Sequence, residues 1–120
     1  MIQFKKTSPF AVEPRKSDPN NIGYDLCSIY DGFCSFSFNV ETGLSILLPE
    51  GFFGLIVPKD TINATISNGI VRPNVDKEIS FTLTNSKYNM GFDIYKYQPV
   101  AELVIQEFCE ADFFEVKKFL

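Results

Sequence analysis

An all-β domain, built as a barrel or a jelly-roll sandwich, is the fold class this chain predicts, and three observations carry the prediction. Apolar and polar residues alternate with a period of two over several short segments. Proline, glycine and asparagine punctuate those segments at intervals of roughly ten residues, the rhythm of short strands joined by turns. Nowhere do apolar residues recur at three and four over a window long enough to make a helix.

In order, Ile2-Gln3-Phe4 alternates and opens the chain as a strand. Residues 8–21 carry Pro9, Pro14 and Pro19 among polar residues and read as an extended surface segment. Pro19, Asn20 and Gly23 mark a turn, and a short apolar run holding Asp25 follows it. Cys34, Phe36, Phe38 and Val40 are predicted to face one way, and Ser35, Ser37 and Asn39 the other. Leu44, Ile46 and Leu48 repeat the pattern up to a turn at Pro49-Glu50-Gly51. Phe52 to Val57 is nearly all apolar with Gly54 inside, which predicts a strand buried on both faces or approached closely by another backbone; Pro58 closes it. Ile79, Phe81 and Leu83 alternate with Ser80, Thr82 and Thr84. A last apolar run, Val100 to Ile105, is bounded by Pro99 and followed by Phe108. With no linker, repeat or low-complexity tract, residues 1–120 read as one domain.

Composition narrows the function classes. At 120 residues, with 45% hydrophobic and 22% charged residues, the chain is long enough to bury its own core. No apolar run approaches about 18 residues, and Met-Ile-Gln-Phe-Lys-Lys lacks the apolar stretch of a signal peptide, so an intracellular protein of cytoplasm or nucleus, with no membrane contact, is expected. A net charge of −4 argues against nucleic acid as a partner; Lys5, Lys6, Arg15 and Lys16 read as a solvated face. Cys27, Cys34 and Cys109 are odd in number and share no metal-ligand spacing, which predicts reduced, partly buried thiols. The chain has no histidine. That excludes histidine metal sites and Ser-His or Cys-His catalysis, and leaves carboxylates, lysines, arginine or a carboxylate-held divalent ion for any chemistry.

Gly23-Tyr24-Asp25-Leu26-Cys27-Ser28 places a carboxylate directly after a glycine turn, where it faces a site more readily than a core. Taken alone, these residues are ordinary turn chemistry. They gain meaning from the segments that follow: Val40 to Ile46 with Leu48 to Gly54, then Pro58-Lys59-Asp60, then Gly69-Ile70-Val71, then Val100-Ala101-Glu102-Leu103-Val104. In this order and spacing the five segments resemble the trimeric dUTPase family, jelly-roll enzymes that hydrolyse dUTP to dUMP and pyrophosphate. The resemblance runs from about Phe4 to the end. It implies a dUTPase-like jelly-roll barrel in a single domain, a homotrimer, and Mg²⁺ as cofactor wherever nucleotide activity is kept.

The family's nucleotide pocket maps by this resemblance onto Asp25, Lys59, Asp60, Gly69, Ile70, Arg72, Val75 and Glu102, and half of these depart from the pattern. The third motif of the family carries a water-activating carboxylate directly after its Gly-Val-Ile type triplet; here that position is Arg72, which cannot serve as a base. The family tyrosine that packs under the deoxyribose is replaced by Val75. The second-motif serine is replaced by Asp60 and the fourth-motif glutamine by Glu102, and both changes put negative charge where phosphates would lie. The family's glycine-rich fifth motif would begin beyond Leu120, and the short helix after the second motif is expected to be trimmed. Asp25 and the basic Lys59 are retained, so Asp25 is the candidate Mg²⁺ ligand.

Three expectations follow. The first is a dUTPase-fold protein with no catalytic residue at the base position, no cofactor, and a role in binding an unidentified protein partner, as divergent viral and phage relatives do. The second is retained dUTP diphosphatase activity, with Asp76 or Glu78 supplying the carboxylate and Arg72 and Lys59 gripping phosphates; Asp76-Lys77-Glu78 otherwise reads as a charged hairpin tip. The third is a homotrimer whose surface serves assembly, with Phe108, Phe113, Phe114 and Phe119 packing against a neighbour or, more simply, in the chain's own core. A hydrophobic terminus, Val116 to Leu120, entering a peptide-recognition groove is a weaker variant.

Overall fold

The alternating segments fold as strands. The computed structural model describes residues 1–86 and 90–120, and among these there are ten strands and no helix: β1 (Gln3–Lys6), β2 (Tyr24–Cys27), β3 (Gly32–Cys34), β4 (Ser37–Leu47), β5 (Phe52–Pro58), β6 (Ala64–Ser67), β7 (Ile70–Val71), β8 (Glu78–Asn85), β9 (Phe92–Ile94) and β10 (Pro99–Glu107). All the pairings are antiparallel. One sheet runs β1-β4-β8-β6 and a second β2-β10-β5-β7, while β3 and β9 form a two-stranded ribbon. Val40, Leu44, Ile46, Phe81 and Leu83 from the first sheet meet Leu26, Ile56, Val100 and Leu103 from the second in one core. The predicted all-β jelly-roll architecture is what forms.

β8 shows the mechanism most simply. Ile79, Phe81 and Leu83 point inward with 5% exposure or less, and the serine and threonines between them point out. β4 is longer than its sequence suggests: the two alternating stretches, 34–40 and 44–48, are carried largely by one strand of 11 residues. A bulge between Glu41 and Ser45 joins them, with Gly43 at φ 65° and its carbonyl accepting from the Thr7 amide at 2.7 Å. A Cβ there would lie 2.9 Å from that of Ser8, so glycine is what lets the N-terminal segment cross the bulge.

Two local expectations are corrected. Phe36 does not share a face with Cys34, Phe38 and Val40; it is 66% exposed, because the chain leaves the β3–β9 ribbon at Ser35 and enters β4 only at Ser37, which breaks the alternation. Phe52–Val57 is not buried on both faces either: Leu55 is exposed and Phe52, Phe53 and Val57 are half-buried. What approaches Gly54 is side chain, not backbone, since a Cβ there would meet Leu103 Cδ1 at 2.7 Å and Val71 Cβ at 3.1 Å.

Past Glu107 the chain becomes an arm. Phe108 is anchored by its amide, which donates to the Gly51 carbonyl at 2.9 Å, and by its ring, 5.9 Å from that of Phe53. Phe113, Phe114 and Phe119 are at least 85% exposed and so are no part of the chain's own core. No helix among the described residues is long and apolar enough to cross a membrane.

Candidate functional site

β2 is an edge strand, and its register on β10 sets Asp25 directly opposite Glu102. Two carboxylates facing each other across a ladder repel. The register of β5 on β10 resolves the conflict: Val57 pairs with Glu102, so Lys59, just past the end of β5, reaches both acids. Its ammonium lies 2.9 Å from Asp25 Oδ1 and 3.4 Å from Glu102 Oε2. The three side chains are 17% exposed or less. The second oxygen of Glu102, Oε1, accepts from the Gly23 amide at 3.0 Å. Gly23 itself is packed so tightly that a Cβ would lie 2.7 Å from the Leu103 carbonyl oxygen. The segment before β2 is tied in by the Asp25 amide, which donates to the Arg15 carbonyl at 2.8 Å.

The electrostatics follow from this arrangement. Burial alone would raise the pKa of Asp25, but the Ser17 hydroxyl and amide and the Lys59 ammonium outweigh it and hold the carboxyl below its usual range. Lys59 moves up, chiefly through its hydrogen bond to Asp25, against an opposing desolvation cost. Both groups are therefore charged at neutral pH. Beside them the Cys27 thiol is pushed up to about 11, first by burial and then by the Asp25 charge, and is unreactive for that reason.

A second feature lies elsewhere on the chain. Ile56, Gly69, Ile70, Arg72, Val75 and Glu78 are among the residues lining a cleft of about 610 Å³, and none of Asp25, Lys59, Asp60 or Glu102 lines it. Arg72 and Val75 are exposed there. Glu78 accepts from the Thr7 hydroxyl at 2.6 Å. Asp76 is turned away toward β1 and β4, where it accepts from Lys5 at 2.9 Å and from the Ser45 hydroxyl at 2.7 Å. Those two hydrogen bonds, Lys5 first, hold its carboxyl below the usual range, which makes it a poorer base still.

The eight residues expected to mark one pocket are thus divided on a single chain. Asp25, Lys59 and Glu102 form one cluster; Gly69, Ile70, Arg72 and Val75 line the other cleft; Asp60 is exposed next to Lys59. Two contributors were illegible in sequence. Ser17 bonds Asp25 from eight residues upstream, across the isolated Arg15–Asp25 bridge, and nothing in a proline-rich polar stretch announces that contact. The Gly23 amide acquires its role only when β10 lies beside it.

With this geometry in place, the comparisons with known proteins are specific. A dUTPase family profile matches residues 11–119. A deoxyuridine 5'-triphosphate nucleotidohydrolase of Tropheryma whipplei (strain Twist) is 31% identical over 111 residues, covering 86% of this chain and 76% of that protein. The protein of the same name from Avian adenovirus 8 is 29% identical over 118 residues, covering 92% and 71%. Among solved structures, a mutant of the Staphylococcus bacteriophage 80alpha dUTPase with dUpNHpp superposes with a TM-score of 0.82 at 18% identity, covering 99% of this chain and 97% of that one. A mutant dUTPase of phage phi11 of S. aureus, which coordinates a structural Mg(II) ion, gives the same TM-score at 16% identity, covering 99% and 98%. Sequence profile, relatives and fold all agree with the order of motifs along the strands: this chain belongs to the dUTPase family.

Proposed function

We propose that this chain keeps the dUTPase fold without hydrolysing dUTP, and that it acts as a homotrimer through contacts with a protein partner. The observation that carries the reading is Arg72. It stands where the family's water-activating carboxylate is expected, and the neighbouring candidate, Asp76, is committed to Lys5 and Ser45 outside the cleft. Loss of a general base costs about 10²–10⁴ in rate, and Val75 and Asp60 in place of the tyrosine and serine add to that cost. Phage dUTPases of the 80alpha type control transfer of virulence genes by a proto-oncogenic G protein-like mechanism, so a regulatory role is compatible with this fold.

The pairing of Asp25 weighs against a Mg²⁺ ion held by Asp25 itself. Asp25 already has an ammonium 2.9 Å from its carboxylate, and a divalent cation placed there would meet like charge at close range. Trimer formation is supported by the arm after Glu107, where Phe113, Phe114 and Phe119 find no cover among the described residues of their own chain. The radius of gyration, 16.6 Å, exceeds the roughly 14 Å expected for a compact chain of this length. Action inside the cell, in cytoplasm or nucleus, is supported by the free thiols Cys27, Cys34 and Cys109.

A second reading, Mg²⁺-dependent dUTP diphosphatase activity, is favoured by a relative named deoxyuridine 5'-triphosphate nucleotidohydrolase at 31% identity. Pyrophosphate release from dUTP with Mg²⁺, at micromolar protein and beside Arg72→Asp, decides between them. No release by the wild type is expected. Turnover well above background would establish the diphosphatase reading and end the first. Sedimentation of the chain with and without residues 109–120 tests the homotrimer, which is expected to dissociate on truncation.

A further inference from the structure

Glu102 is held in an unusual way for a strand residue. One carboxylate oxygen accepts a backbone amide, Gly23 N–H at 3.0 Å, and the other faces an ammonium, Lys59 Nζ at 3.4 Å. A backbone N–H and a lysine converging on two oxygens of one anion are donors that would serve a phosphate oxygen equally well. We infer that Glu102 is a built-in anion: its carboxylate fills an oxyanion subsite formed by the Gly23 amide and Lys59, and thereby closes that subsite to phosphate. The inference rests on reading this cluster as the remnant of the family's phosphate-facing motifs.

Three features of the chain support it. The Glu102 side chain is only 12% exposed, so its two contacts are made largely out of water, where charge-assisted hydrogen bonds are strong. The donors are held in place independently of Glu102. Lys59 is fixed just past the end of β5 by its amide, which donates to the Val100 carbonyl at 3.1 Å, and by Asp25, while Gly23 is wedged against the Leu103 carbonyl. Removing the carboxylate therefore leaves a cation and an N–H aimed at the same space. The charge balance points the same way: Asp25, Lys59 and Glu102 sum to one net negative charge, which repels an incoming anion, and loss of the Glu102 charge brings the cluster to neutrality.

The test is binding of inorganic pyrophosphate, measured by calorimetry at low salt, to the wild type, Glu102→Ala, Glu102→Gln and Glu102→Ala/Lys59→Met. Binding is expected to strengthen by roughly tenfold or more in Glu102→Ala, a step of about 1.4 kcal/mol. A smaller gain is expected in Glu102→Gln, whose amide oxygen still caps Gly23. The gain should vanish in the double variant. If Glu102→Ala does not fold, the comparison of Glu102→Gln with Glu102→Gln/Lys59→Met carries the same test. Binding equal to the wild type in a folded Glu102 variant overturns the inference, as does a gain that survives loss of Lys59. Pyrophosphate binding by the variants is independent of dUTP turnover by the wild type, so the inference and the proposed function fail separately.

Discussion

Asp25 and Lys59, 34 residues apart in the chain, hold their charged groups 2.9 Å apart with 5% and 17% of their side chains exposed. Glu102 completes the cluster from a third strand. The second sheet is therefore tied together at this end by charge as well as by its ladder. This geometry and its neighbours make four consequences measurable.

Removing the cation should be costly. Lys59→Met leaves two facing carboxylates with no counterion in a largely buried place, and such a loss typically costs about 3 kcal/mol or more. Urea unfolding at neutral pH should show it. The triple variant Lys59→Met/Asp25→Asn/Glu102→Gln should recover most of the loss, because the penalty comes from unpaired charge and not from the missing side chain. A triple variant as unstable as the single one would assign the effect to packing.

The pair also predicts a stability profile with two limbs. Asp25 lies below its ordinary range when folded, so its contribution is complete above the unfolded value of about 3.9 and is lost as the pH falls through the folded value. Lys59 lies above its ordinary range, so its contribution is complete below about 10.4 and is lost as the pH rises through the folded value. Stability measured from pH 2 to 11 should fall at both ends. In Asp25→Asn the acid limb should be shallower, and an unchanged acid limb would mean other carboxylates dominate it.

Gly23→Ala should separate β2 from β10. The added Cβ would lie 2.7 Å from the Leu103 carbonyl oxygen and 3.0 Å from Glu102 Cβ, so the strands must part and the hydrogen bond from the residue-23 amide to Glu102 must lengthen. A loss of about 2 kcal/mol is expected, the middle of the range for overpacked sites. Amide exchange should accelerate at Asp25, whose amide bonds to the Arg15 carbonyl.

Thiol chemistry should separate the three cysteines. Cys109 is exposed on the arm, while Cys27 and Cys34 are buried, with Cys27 pushed up to about 11 by burial first and by Asp25 next. At pH 8 an aromatic disulfide reagent should label Cys109 rapidly and the other two only on unfolding. Rapid labelling of Cys27 would show that the β2 edge opens.

Local pattern was enough to establish the strands with clean alternation, the turn at Pro49-Glu50-Gly51, the end of β5 at Pro58, the all-β class, and, through the order of five motifs, the family. These depend on near neighbours: a two-residue period and a proline or glycine act within a few positions. The position of Arg72 was legible for the same reason, since it directly follows Gly69-Ile70-Val71. Tertiary structure decided the rest. β6 and β9 are four and three residues long, too short to show a period, and they exist because β8 and β3 offer them edges. Phe36 was misplaced because periodicity cannot see the chain change sheets. That Glu102 takes Lys59 and the Gly23 amide, that Asp76 turns to Lys5 and Ser45, and that Arg72 stands in a cleft apart from Asp25 are all matters of register. A residue type fixes the charge a side chain carries, but only the pairing of strands distant in sequence fixes which charge it meets.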